Sequence, residues 1–219
     1  FDTEGVVCNG GAGHRGEERA AVKRESFWKN ISRLDGQLKL YLAAAFVFTL
    51  GNSSNTFLLL RARSVGFGDA DVILLYFAFN LTASVLSIPL GRLSDRIGRK
   101  SLLVGGYLVF SAVYLGFALG GSRASIAVIF VLYGVYSAMI SGVERAFIAE
   151  ISPAELKGTM LGLHSTVVGI ALLPASMMAG ILWSWLGAPA PFLFGSVMSL
   201  AAAIALQIFM RSARQQLPS

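Results

Sequence analysis

The ionisable side chains of this chain are few and crowded. Ten residues, Gly91-Arg92-Leu93-Ser94-Asp95-Arg96-Ile97-Gly98-Arg99-Lys100, place one acid among four bases between two almost purely apolar runs. A connection that short forces the helices on either side to lie antiparallel, and its cations must remain with water and lipid headgroups. Gly91 is expected to end the incoming helix and allow close backbone approach, and Gly98 to supply the left-handed conformation of a tight reversal. Asp95, surrounded by Arg92, Arg96, Arg99 and Lys100, is suited to act as a latch at a helix N-terminus, a contact worth roughly 0.3–1 kcal/mol.

A second polar cluster follows about fifty residues later: Glu144-Arg145, Glu150, Ser152-Pro153, Glu155 and Lys157-Gly158. Glu144 and Arg145 read either as part of a cytoplasmic gate or as an ordinary surface ion pair. His164, a turn further in, is either a satisfied core histidine or a group that titrates near neutrality. One cysteine, Cys8, permits no internal disulfide, and the sequence has no metal-ligand cluster, no nucleophile elbow and no phosphate-binding loop. Neither catalysis nor a metal or cofactor is expected. The net charge of +6 would suit nucleic acid, but the basic residues are distributed by topology and leave no basic groove.

The ten-residue run resembles the cytoplasmic signature of the major facilitator superfamily, G-x-L-x-D-R-x-G-R-K, at every fixed position. In that family the signature joins the second and third helices of each six-helix half. Here four more apolar segments follow it, so the resemblance implies the C-terminal half of a twelve-helix transporter, with an N-terminal six-helix half as its partner. Glu144 to Gly162 resembles the family's connection between the fourth and fifth helices of this half, although Lys157 stands where Arg is usual.

These residues need elements to hold them. The 219 residues are 55% hydrophobic and 14% charged, with a mean hydropathy of +0.66, too apolar for a soluble domain of this size. Six segments, at 38–60, 71–90, 101–119, 125–145, 159–186 and 192–210, approach the roughly 20 residues that a bilayer requires. The fold class is therefore an all-α membrane protein of six transmembrane helices, with a cytoplasmic linker at 1–37 and a cytoplasmic tail at 211–219. The Gly-rich, charged residues 1–25 are expected to be disordered. Residues 26–35 read as an interfacial helix or as a plain approach to the first span. Fifteen of the 18 Lys and Arg residues then fall on one side, and Arg61, Arg63 and Arg123 on the other. That partition puts both termini in the cytoplasm, with the chain in the plasma (inner) membrane. The second trio of helices must run opposite to the first, as in an inverted repeat.

The interiors differ in polarity. The third and sixth segments carry little beyond Ser, Tyr and one Gln and can face lipid, which agrees with their peripheral place in the family. The first holds Thr49-Leu50-Gly51-Asn52-Ser53-Ser54-Asn55-Thr56. An unpaired amide in an apolar medium costs roughly 2–7 kcal/mol, so this stretch must meet a cavity or a neighbouring helix, and Gly51 with two Asn suggests a weakened or broken helix. Counting 1.5 Å per residue, the midplane passes near Asn52, Asn80, Tyr136-Ser137 and Pro174. Tyr133, Ser137, Ser141 and Glu144 share one helical face. By the resemblance, a small-molecule substrate would meet Asn52, Asn55, Asn80, Tyr133, Tyr136, Ser137 and Pro174, although packing of the two tyrosines remains open. Beyond the N-terminal region every Asp and Glu falls at a segment end or in a loop, so a proton-carrying acid is expected in the other half. Two functions remain: one half of a secondary transporter, for which the resemblance alone implies proton-coupled export of drug-like or metabolite molecules, or a self-contained six-helix protein acting as a homodimeric half-transporter, sensor or scaffold.

Overall fold

The computed structural model describes residues 36–214. The expectations for residues 1–35 and for the end of the tail lie outside the described residues. Within them the chain is helical, and six helices or helix pairs are long and apolar enough to cross a membrane: Leu38–Ser64, Asp69–Ile97, Arg99–Leu119, Arg123–Ile151, Ala154–Leu186 and Ala190–Ile208.

Two of the spans are interrupted. The first consists of α1 (Gly36–Gly51) and α2 (Thr56–Ser64), with Asn52 to Asn55 outside either helix. Gly51, two Asn and two Ser offer poor helix propensity and side chains that compete for backbone groups. The fourth span is α5 (Arg123–Ile140) and α6 (Val143–Ile151), parted by a turn at Ser141 and Gly142. The second is α3 (Asp69–Ile97), the third α4 (Arg99–Leu119), the fifth a short 3₁₀ turn (Ala154–Leu156) leading into α7 (Lys157–Leu186), and the sixth α8 (Ala190–Arg214).

The packing exchanges the two trios. The second span lies along the fourth as the fifth lies along the first, the third meets the fourth as the sixth meets the first, and the third and sixth pack on each other. At that last contact the bonds are reciprocal: Ser111 Oγ donates to Ser196 O at 2.9 Å, and Ser196 Oγ donates to Ser111 O at 2.8 Å. Ser199 Oγ donates to Tyr107 O at 2.7 Å.

This arrangement corrects the reading of the third segment as lipid-facing. It is the most buried of the six spans, and the second and fifth are the least buried. Tyr107, Phe110, Tyr114 and Phe117 are fully buried, stacking with Phe48 at 4.1 Å and meeting Tyr136, Phe130 and Phe192. Only a stripe with Leu108, Leu115 and Leu119 faces outward. Hydropathy cannot separate lipid contact from helix contact, because both favour apolar surface. Close approach of the first and sixth spans relies on glycine: a Cβ on Gly195 would strike Gly51 O and the Tyr114 ring, and one on Gly51 would lie 2.6 Å from Met198 Cβ.

Candidate functional site

Five of the seven expected cavity residues come together. Asn52, Asn55, Tyr133, Tyr136 and Ser137, with Ser53, Ser54, Ile140, Ser141 and Leu172, line a cavity of about 320 Å³ where the first span is broken. The break turns the amides toward the fourth span. Tyr133 Oη donates to Asn55 Oδ1 at 2.9 Å, and Asn52 Nδ2 donates to Tyr136 Oη at 3.5 Å. Both tyrosines are only 5% exposed, so their hydroxyls are presented with little room to turn away. The lining can donate and accept hydrogen bonds but carries no formal charge.

Asn80 and Pro174 lie elsewhere. Asn80 is exposed on α3, and its Nδ2 donates to Tyr76 O at 2.7 Å, four residues back on its own helix. Residue counting gives depth but not azimuth: the neighbouring Phe79 is the residue that turns inward, meeting Tyr133 at 5.2 Å. Pro174 sits within α7, which stays helical through it, and Leu172 is the residue of that helix that reaches the cavity.

Ser141 and Leu172 also line a second, larger cavity of about 720 Å³, together with Glu144, Arg145, Leu161, His164, Ser165 and Val168. The two cavities therefore adjoin, one neutral and one charged. Glu144 stands in the first turn of α6. Its side chain lies near the buried Tyr107 hydroxyl, which has no hydrogen-bond partner among the described residues. His164 is buried and stacked on Tyr41 at 5.7 Å, with Tyr41 Oη 3.4 Å from Nε2. The expectation that acids stay at segment ends thus needs a correction: Glu144 follows the turn that interrupts its span, and that turn admits it to a cavity wall.

The signature run is not a loop. Gly91 to Ile97 form the last two turns of α3, Arg99 and Lys100 open α4, and Gly98 alone, at φ +89°, makes the reversal. Nothing between Gly91 and Ile97 breaks a helix, and arginine near a helix C-terminus favours its continuation. Gly91 therefore does not end its helix, and a Cβ there would meet nothing within 4 Å among the described residues. Arg92, Asp95 and Arg96 are exposed on those final turns. Arg99 pairs with Asp95 at 3.6 Å and with Glu150 at 3.3 Å, and its Nη1 donates to Ala146 O at 3.0 Å, tying the start of α4 to α6. Sequence reasoning named Glu150 and Ser53 within polar stretches but gave neither a contact of its own. It also left Arg61, at the other end of the bundle, without a role, and no local pattern marks that residue.

Comparison with known proteins adds a family. The model of the Major Facilitator Superfamily matches residues 40–218, all six spans included. The chain belongs to the Major Facilitator Superfamily. It is 39% identical over 187 residues to an uncharacterized MFS-type transporter of Methanocaldococcus jannaschii, covering 83% of this chain and 47% of that protein. It is 27% identical over 147 residues to the tetracenomycin C resistance and export protein of Streptomyces glaucescens, covering 67% of this chain and 27% of the other. With a quinolone resistance protein of Staphylococcus aureus it shares 25% identity over 142 residues, 65% of this chain and 36% of that one. The chain spans about half the length, or less, of these relatives. Six apolar spans and this membership make it an integral membrane protein of a transporter family.

Proposed function

We propose that this chain is the C-terminal half of a secondary transporter that moves a small solute by alternating access, with its six helices rocking against an N-terminal bundle. The observation that carries the reading is the neutral cavity at the break of the first span, where Asn55 and Tyr133 are bonded and Asn52 meets Tyr136. Buried amides and phenols beside a space of that size form a lining for a solute with hydrogen-bonding groups and an apolar body. The exposed apolar faces of the second and fifth spans, with Ile73, Phe77, Ile88, Leu173 and Met177, suit lipid and the partner half. Both termini lie in the cytoplasm of a plasma (inner) membrane, in keeping with the partition of basic residues. The export named for the Streptomyces relative and the quinolone resistance named for the Staphylococcus one favour outward transport of drug-like molecules.

The test is solute flux through the full-length protein in liposomes under an imposed gradient, with a fluorescent quinolone as the first probe. Flux should saturate, and Asn55→Ala and Tyr136→Phe should each raise KM severalfold, as loss of one hydrogen bond worth about 1 kcal/mol predicts. Unchanged KM in both variants would remove the cavity from the transport path.

A further inference from the structure

At the end of the bundle away from the signature turn, one arginine makes contacts that the cavity does not explain. Arg61 stands near the end of α2, half-buried, and no carboxylate among the described residues lies within ion-pair distance of its guanidinium. Nε donates to Phe117 O at 2.8 Å, Nη2 to Gly120 O at 3.0 Å and to Ala118 O at 3.3 Å, and Nη1 to Ser64 Oγ at 3.4 Å. The three carbonyls belong to the C-terminal end of α4, where the last oxygens of a helix lack partners and carry its negative pole. Its two neighbours behave differently: Arg63 pairs with Asp69 at 2.8 Å, and Arg123 pairs with Asp71 at 3.2 Å.

What Arg61 grips matters because of what it is attached to. α2 has nine residues and is cut off from α1 by the break at Asn52 to Asn55, so tertiary contacts rather than its own hydrogen bonds must fix its position. Leu58 and Ala62 are buried beneath it. Asn55, immediately before it, receives the Tyr133 hydroxyl. At the signature end the same construction recurs: Arg99, the first residue of α4, holds Ala146 and Glu150 of the nine-residue α6. The buried third span thus carries an arginine contact to a short half-helix at each of its ends.

We propose that Arg61 is a positioning residue, which fixes α2 against the end of α4 and so holds the Asn55–Tyr133 pair in the cavity wall, and that this grip releases when the cavity opens at that end. The proposal rests on the alternating-access reading above. A guanidinium reaches three diverging carbonyls with a planar fork, and a lysine ammonium on a different stem cannot reproduce that geometry.

The test uses the full-length protein in a Cys8→Ser background with Ser54→Cys as a reporter, labelled by an impermeant maleimide from the Arg61 side. Arg61→Ala should raise the labelling rate about tenfold, the effect of losing a charge-assisted set of hydrogen bonds, and Arg61→Lys should fall between. Arg63→Ala should label as the parent does. Where Arg61→Ala does not fold, spin labels at Leu60 and Leu119, with Arg61 intact, should report two distances; one narrow distance would overturn the proposal. Unaltered labelling in a folded Arg61→Ala protein, or an equal rise in Arg63→Ala, would also overturn it. Flux distinguishes the two readings: raised labelling without quinolone transport supports the clamp and counts against the transport assignment alone.

Discussion

The bond from Tyr133 to Asn55 crosses from the fourth span to the break in the first, so it both shapes the cavity and ties two helices. A double-mutant cycle of Tyr133→Phe and Asn55→Ala, read by thermal unfolding in detergent, should give a coupling of about 1 kcal/mol. Strict additivity would mean that the two residues act separately. Gly195 is a sharper case, because a methyl group there has nowhere to go between Gly51 O and Tyr114. Gly195→Ala should destabilise the bundle by about 1–3 kcal/mol, the usual cost of overpacking, whereas Gly91→Ala, with open space around it, should be close to neutral. Equal melting temperatures for these two variants would contradict the packing described.

At the scale of elements, the short half-helices are the parts held least by their own backbone. α6 is anchored through Arg99 to Ala146 and Glu150, so Arg99→Ala should increase amide hydrogen exchange across Val143–Ile151 more than across α5. Exchange unchanged in α6 would show that its apolar contacts suffice. Asp95 is a contrasting case. Its contact with Arg99 is 3.6 Å long and exposed, which within this chain is worth less than about 1 kcal/mol. If Asp95→Asn abolishes transport while leaving expression and the melting temperature intact, its working partner lies in the other half of the transporter. Normal transport in that variant reduces the acid to a surface contact.

For the whole molecule the prediction concerns orientation. With fifteen of 18 basic residues on one side, single cysteines at the exposed Ile97 and at Arg214 in a Cys8-free background should be protected from impermeant thiol reagents in intact cells and labelled after permeabilisation. A cysteine at Ser122 should be labelled. Ile97 and Ser122 bracket the third span, so labelling of both from one side would contradict a membrane crossing, and labelling of Ile97 alone would invert the topology.

Apolar runs of bilayer length, a helix-weakening Gly51-Asn52 and a ten-residue signature were enough to determine from sequence the membrane class, the number of spans, the break in the first helix and the family. Those features are local, and local propensity and transfer energies act on them directly. Rotation about the helix axes is different, since it depends on which neighbour each face meets. Only the tertiary structure could place Asn80 outside the cavity, put Phe79 against Tyr133, bury the third span and bring Glu144 and His164 to one wall. The Arg61 contact with the end of α4 joins residues 56 to 59 positions apart. No spacing within a single helix encodes it, because its partners are backbone carbonyls, which every residue carries.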